Sequence, residues 1–476
     1  MATLRIREDI WNDVNRHLSP LGEHFAFLRA RWTWSNGEPV LWTTGSALVP
    51  DEVVTIDRGA HEVPLETLLD NINKAVREGT TLIEVHNHGG SHPTWSPVDR
   101  EGLRQVVPYM LSSLPGRPYV ATVWAGPHIF GEWFGSDNRQ GELRSIVVAG
   151  SGLRQLVSSN GTRDADRLET WSRQRLWFTE EGQRQLGRLR VAVIGNGGTG
   201  SLLVQNLAFL GVRDFVLVDP DLADATSMNR LVTGRRTDVG QPKVNLASRL
   251  IRSVAQKAAI QPFRADLRDK SAIDAVRGCD LIFGCMDNDG ARLVLNELAL
   301  AYQIPYIDLA TGIDASQGKV TEAGGRVASV VPGGPCLNCM GEIDPDEARY
   351  FLAPDAERVF ARDRGYVRGF DEVAPAVVSL NASVAAAAVN EFAVWFSGIR
   401  PINILSELDL IGTGRGKTAQ WLTPKRVVRD PECVHCLIAA TGDEANLGRY
   451  AASLDSADHL KPVSGRGRNK SYKAER

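Results

Sequence analysis

At 476 residues the chain exceeds what one ordinary hydrophobic core organises, so two or three domains are expected. A net charge of −3 supplies no basic excess, which speaks against nucleic acid as a partner. There is no apolar run of about 18 residues, and "MATLRIREDIW" lacks a signal-peptide pattern; the expectation is a soluble, cytoplasmic protein with no membrane partner. Six cysteines are too few for a disulfide scaffold, and four of them form two C-x-x-C pairs, which points to metal.

Residues 1–150 read as one α+β unit. A first helix over about 5–18 leads to a strand around "HFAFLRARW" and turn-rich strands, then to a helix on which Leu65, Leu68, Leu69, Ile72 and Val76 share a face. The strand "TTLIEVHNH" follows, and strands near "YVATVWAG" and "RSIVVAG" close the unit at about Gly150. His86 and His88 flank Asn87 at the end of a strand, where a period of two sends both imidazoles to the same side. With Ser96 and Asp99 they form H-x-H-x7-S-x-x-D. Two imidazoles and one carboxylate, His86, His88 and Asp99, make three zinc ligands and leave a fourth position for water, as in catalytic rather than structural sites. Water on such a zinc has a pKa near about 7, so hydrolysis is the natural chemistry.

On these residues the unit resembles the JAMM/MPN metalloproteases. The resemblance implies cleavage of peptide or isopeptide bonds after the C-terminal glycine of ubiquitin-like proteins. It also implies a glutamate general acid/base from an early strand, which "LGEHFAFL" supplies as Glu23, and a Ser96 that helps hold the developing oxyanion. His24, beside Glu23, reads as a surface residue.

Residues 151–188 are a polar connection, helical towards its end, that forms a linker and the arm of the next domain. The domain over 189–440 is organised around "RVAVIGNGGTG". Val191, Val193 and Ile194 read as a buried strand, and Gly195, Gly197 and Gly200 have the spacing G-x-G-x-x-G before the helix "SLLVQNLAFLGV". Glycines let the backbone approach a phosphate, and a helix N-terminus presents N–H groups to it. A second strand, "DFVLVDPD", ends at Asp219, placed for a ribose hydroxyl. Strand and helix then alternate to about residue 335: a doubly wound, Rossmann-like α/β domain, with Gly195, Asp219 and Asp287 at the carboxyl ends of strands. An NAD-dependent oxidoreductase would account for the glycines and Asp219. Arg230 in "TSMNRLVT", Lys243 in "GQPKVN" and Asp287 in "GCMDNDG" fit ATP with magnesium better: two cations for a triphosphate and a carboxylate for the metal.

The series "SRQ" at Arg173, the glycine turn, "DPD" at Asp219 and Asp221, "MNR" at Asn229 and Arg230, "GQPK" at Lys243 and "MDN" at Asp287 resembles the ubiquitin-activating enzymes and their bacterial relatives ThiF and MoeB, over residues 165 to about 440. The resemblance implies ATP-dependent adenylylation of the C-terminal glycine of a ubiquitin-like protein. In it Asp219 holds the ribose, Arg230 and Lys243 the phosphates and Asp287 the magnesium, while Arg173 reaches the phosphates from the other subunit of a homodimer. Cys336, Cys339, Cys433 and Cys436 read as a four-thiolate structural zinc site, which leaves His435 unnecessary as a ligand. Residues 341–370 read as a loop or short helices crossing the site. No cysteine lies between 340 and 432, where thioester-forming relatives carry one, and Cys279 and Cys285 flank the core strand "DLIFG", so no thioester is expected. The apolar stretch from "VAPAVV" to "WFSG" reads as a long core or dimer-interface helix, and residues 441–476 as a basic, flexible tail.

Together these readings describe a bifunctional enzyme that uses ATP, magnesium and two zinc ions, one catalytic and one structural. Its partner is a ubiquitin-like protein with a C-terminal Gly-Gly tail, with a conjugating-enzyme-like protein as one acceptor. By analogy with bacterial ubiquitin-like modification systems, antiviral defence is one setting. A sulfur-carrier adenylyltransferase of a cofactor pathway, the oxidoreductase, and an inert scaffold for a ubiquitin-like protein remain as alternatives.

Overall fold

A computed structural model describes residues 2–20, 22–35, 37–57, 60–88, 93–126, 128–156, 170–316, 319–363, 375–411 and 420–453. Residues 157–169 of the connection, the end of the crossing segment and the tail beyond 453 lie outside the described residues. The architecture is mixed α/β, built on two large sheets.

The first sheet has nine strands in the spatial order Leu153–Gln155, Ser145–Ala149, Thr3–Arg7, Glu38–Leu48, Phe25–Ser35, Thr81–Asn87, Tyr119–Ala125, His128–Phe134 and Gln140–Glu142. The N-terminus corrects the expected helix from residue 5. "TLRIR" alternates polar and apolar, Leu4 and Ile6 are buried, and the segment runs as a parallel strand between two others before the helix Glu8–His17 begins. The helix Leu65–Glu78 forms as expected but is rotated. Asn71, Ile72 and Ala75 face the core, whereas Leu65, Leu69 and Val76 are exposed; small Ala75 lets this face lie against the sheet. The helix Pro97–Ser113 has so little apolar periodicity that only Leu103 and Met110 are buried, and periodicity did not announce it. Its signal was the S-x-x-D stretch itself, because Ser96 and Asp99 form a capping box with Pro97 at the first helical position.

The second sheet has eight strands. Ala259–Phe263, Asp214–Val218, Arg190–Ile194, Leu281–Gly284 and Tyr306–Ser316 are parallel, and Lys319–Val330, Leu405–Asp409 and Gln420–Lys425 extend it antiparallel, an extension the alternating pattern did not reveal. Strand order reverses between Arg190–Ile194 and Leu281–Gly284, the place where such sheets open a crevice for ligands. Helices Gly198–Leu210, Lys243–Val254 and Val378–Phe396 cover one face; Lys270–Val276 and Asp289–Ala301 cover the other. The apolar Val378–Phe396 is core, packed on Gly198–Leu210.

The two sheets meet through buried polar contacts. The Arg5 guanidinium donates to the carbonyls of Tyr302 (3.0 Å) and Cys279 (2.9 Å), and Ser145 Oγ donates to Asp280 (2.7 Å). Ala440 and residues 441–447, the latter expected to belong to the flexible tail, are packed here. Trp42 donates its indole N–H to the Ala440 carbonyl (2.9 Å), Thr33 bonds Asp443 (2.9 Å), and Ala445 and Leu447 are buried. No helix among the described residues is long and apolar enough to cross a membrane.

Candidate functional site

The glycine turn follows the strand Arg190–Ile194, and backbone dictates its residue types. Gly195 has φ +83°, and a Cβ there would lie 2.5 Å from the Cys285 carbonyl oxygen; a Cβ on Gly200 would lie 1.9 Å from the Gly195 carbonyl oxygen. A Cβ on Gly197 would meet nothing within 4 Å, so that position faces open space at the start of the helix Gly198–Leu210, whose first turn has no side-chain cap. An uncapped helix start at a strand's carboxyl end is a ready anion site. Asp219 closes the turn from the next strand. Its carboxylate oxygens accept the N–H groups of Asn196 (2.5 Å) and Asp221 (2.8 Å), and burial, opposed by Lys243, pushes its pKa up to about 6.

The predicted cations and carboxylates converge on this turn. Lys243, the first residue of its helix, places Nζ 2.7 Å from Asp221. Burial would lower its pKa, but Asp219, Asp221 and Asp287 together hold it above its ordinary value. Asp287 is exposed at the mouth, and the next residue, Asn288, donates to it (3.2 Å) and caps the helix Asp289–Ala301. Arg230 donates to the Thr226 carbonyl (2.7 Å) and the Asn229 side chain (3.3 Å) while its methylenes cover Gly198. Sequence reading missed Asn381, whose amide also lies against Gly198; it is one of several polar residues on a mainly apolar helix, and nothing local singles it out. It also missed Arg292, which donates to the Met286 carbonyl (2.8 Å) and pairs with Asp289 (2.6 Å) beneath Asp287. Arg173 is not brought here. It is exposed in the turn Ser172–Gln174, whose neighbour Trp171 bonds the Phe209 carbonyl (3.0 Å) at the opposite end of the glycine-turn helix, a length of about 20 Å. Cys285 lies under the turn, and burial pushes its thiol up; it pushes Cys279, in the core, up to about 12.

In the first sheet, His86 is the penultimate residue of the strand Thr81–Asn87 and His88 follows it, with ring centroids 5.0 Å apart on the same side. Asp99, in the first turn of Pro97–Ser113, faces both: 3.6 Å from His86 Nε2 and 3.3 Å from His88 Nε2. Tetrahedral zinc with ligands at the usual distances would separate them by roughly 3.4 Å. His86 Nε2 is buried with no hydrogen-bond partner, an orphan atom that a metal would satisfy. Burial opposes ionisation of Asp99, but the nearby His86 ring and the Ser96 N–H outweigh it and bring the pKa down to about 2, so the group is the anion a cation needs. Glu23 sits 3.7 Å from His88, two residues before the strand Phe25–Ser35 rather than within it. Ser96 Oγ accepts the Asp99 N–H (3.1 Å) as helix cap, which leaves its own hydrogen to donate. His24 is buried, not superficial, with Nδ1 2.7 Å from Asp51. Trp95 packs on the His86 ring and donates to Glu132 (3.0 Å).

The cysteines 97 residues apart come together. Sulfur separations are 3.7 Å for Cys336–Cys339 and Cys336–Cys433 and 3.6 Å for Cys339–Cys436, close to the roughly 3.8 Å edge of a tetrahedral four-thiolate zinc site. His435 turns away to Glu297 (3.2 Å).

Sheet order, glycine turn and converging charges define a nucleotide-binding α/β protein. The ThiF family model matches residues 171–433, more than half of the chain, and the chain belongs to the ThiF family. Among curated relatives, the SAMP-activating enzyme E1 of Haloferax volcanii is 30% identical over 185 residues, 38% of this chain and 65% of that protein. The molybdopterin-synthase adenylyltransferase of Escherichia coli is 30% identical over 171 residues, 36% of this chain and 66% of that protein. The adenylyltransferase and sulfurtransferase MOCS3 of Danio rerio is 29% identical over 206 residues, 43% and 42%. The chain thus spans less than two thirds of the length of each of these relatives. The solved structure of the microcin C7 biosynthetic enzyme MccB with N-formylated MccA aligns over 58% of this chain and 77% of that one, at 17% identity and a TM-score of 0.45.

Proposed function

We propose that this protein is a bifunctional enzyme of ubiquitin-like protein chemistry. Its ThiF part, over 189–440, adenylylates the C-terminal glycine of a ubiquitin-like or sulfur-carrier protein, and its part over 1–150 hydrolyses the bond after that glycine. The observation that carries the first activity is the gathering of Lys243, Asp219, Asp221 and Asp287 at the glycine turn in a ThiF-family chain. A glycine carboxylate oxygen attacks the α-phosphorus of ATP, the bond to the bridging oxygen breaks, and pyrophosphate leaves. Asp219 meets the ribose, Lys243 and Arg230 bind phosphate oxygens, and Asp221 keeps Lys243 charged and aimed. Asp287 would hold magnesium, which when bound offsets phosphate charge. Arg173, exposed beside exposed Leu176 and Trp177, is suited to serve the site of a second copy in a homodimer.

For the second activity the donor set fits zinc, and zinc held by His86, His88 and Asp99 would supply a Lewis acid and an acidified water. Glu23 takes the water proton at its carboxylate and delivers it to the leaving amine, while Ser96 Oγ donates to the developing oxyanion. The Cys336, Cys339, Cys433 and Cys436 site is structural. Both activities read the same Gly-Gly tail, and a conjugating-enzyme-like protein would take the activated carboxylate. Nucleotide selectivity tests the reading: ATP with magnesium raises the melting temperature and NAD does not. The reverse result would return the ThiF part to the oxidoreductase reading.

A further inference from the structure

We propose that Asn87, the residue between the two histidines, is a positioning residue that sets the place of Glu23; this rests on the peptidase reading. Strand periodicity turns Asn87 away from His86 and His88, to the side where the helix Glu8–His17 ends and the chain turns towards Glu23. There its buried amide makes three bonds. Nδ2 donates to the carbonyls of Leu18 (3.0 Å) and Gly22 (2.9 Å), and Oδ1 accepts the backbone N–H of His24 (2.6 Å). A primary amide offers two donors and one acceptor, so this one side chain answers three main-chain groups in an irregular stretch where Gly22 has φ +122°. Gly22 and His24 bracket Glu23. The ladder bond from the Asn87 N–H to the His24 carbonyl (3.3 Å) adds a fourth tie.

One residue thus links the rigid strand that carries two metal-type ligands to the stretch that carries the proton-transfer carboxylate, 3.7 Å from His88. The sequence pattern treats Asn87 as a spacer. Its geometry fixes Glu23 relative to the His86, His88 and Asp99 donors that would hold zinc, and errors of about 1 Å in such placements cost catalysis on the order of 100-fold.

The test uses the full chain. Asn87→Ala removes all three bonds, and Asn87→Asp keeps only the acceptor for the His24 N–H. Amide exchange should show His24 opening faster in Asn87→Ala by about 10-fold or more, and less so in Asn87→Asp. Zinc content should stay at the wild-type value. Cleavage of an Arg-Gly-Gly-aminomethylcoumarin peptide should lose about 10- to 100-fold in kcat with KM nearly constant. In a Glu23→Gln background, Asn87→Ala should cost nothing further, because its effect passes through Glu23. Wild-type kcat in Asn87→Ala, an additional loss in the Glu23→Gln background, or zinc loss parallel to activity loss would each overturn the proposal. A wild-type protein that holds two zinc ions yet cleaves no such peptide would instead overturn the peptidase reading.

Discussion

The two candidate centres are built from opposite materials. At the nucleotide turn the backbone makes the shape: a Cβ on Gly200 would lie 1.9 Å from a carbonyl oxygen, and Asp219 spends both carboxylate oxygens on main-chain N–H groups. At the histidine cluster the side chains make the shape, set by a strand end, a helix cap and the Asn87 amide. A backbone site tolerates no added atoms where chains cross, yet it accepts them where it faces the ligand. A side-chain site depends on a few ligand atoms and on what orients them.

The largest expected effect follows from that difference. Gly200→Ala should cost about 3 kcal/mol or more of stability and abolish ATP binding, since backbone must move. Gly197→Ala should leave stability unchanged and weaken ATP only, because its Cβ enters open space. Equal losses in melting temperature for the two variants would mean the turn is not built as described. Metal analysis should find about two zinc ions per chain. A His86→Ala/His88→Ala variant should lose one and keep adenylylation, and Cys433→Ser should lose the other; a wild type with one zinc that survives the histidine variant would reduce the cluster to a polar surface.

Asp219 supplies a smaller, pH-dependent effect. Its folded pKa of about 6 lies above the ordinary value of 3.8, so the folded state keeps a proton that the unfolded chain releases. Its contribution is full below pH 3.8 and is lost as pH rises through 6, on the order of 3 kcal/mol in all, of which roughly half falls between pH 5 and pH 8. Without nucleotide, the melting temperature of Asp219→Asn relative to wild type should therefore improve between pH 5 and pH 8, and a flat difference would contradict the shift. The smallest expected effect is none. With ATP, magnesium and the ubiquitin-like partner, a non-reducing gel should show no thioester, because Cys279 and Cys285 have thiols raised by burial and the other four gather at the zinc-type site. A reductant-sensitive adduct lost in Cys285→Ala would reverse this.

What could be read from the residues follows the same division. The glycine turn and Asp287 follow short, largely apolar strands, Arg190–Ile194 and Leu281–Gly284, and Lys243 opens an amphipathic helix, so their places at one end of the sheet were legible in the residues. The helix after Ser96 was not, because its capping box was already spoken for as a metal motif and its apolar pattern is weak. The strand Thr3–Arg7 was hidden by the charged helix behind it. Asn87 and Asn381 were missed because their partners, Leu18, Gly22 and His24 for the one and Gly198 for the other, lie far away in sequence; Arg292 was missed although Met286 and Asp289 are near it, because an arginine in the first turns of a helix reads as a solvated charge. The packing of 440–447 against the first sheet was missed for the same reason: its partners, Trp42 and Thr33, lie some 400 residues earlier.

The most direct test of the central claim is ATP–pyrophosphate exchange in the presence of a ubiquitin-like protein ending in Gly-Gly. Exchange should depend on that protein, fall to background in Asp287→Ala, and persist in the His86→Ala/His88→Ala variant. Exchange at the wild-type rate in Asp287→Ala, or none in the wild type with any Gly-Gly-ended partner, would contradict that claim.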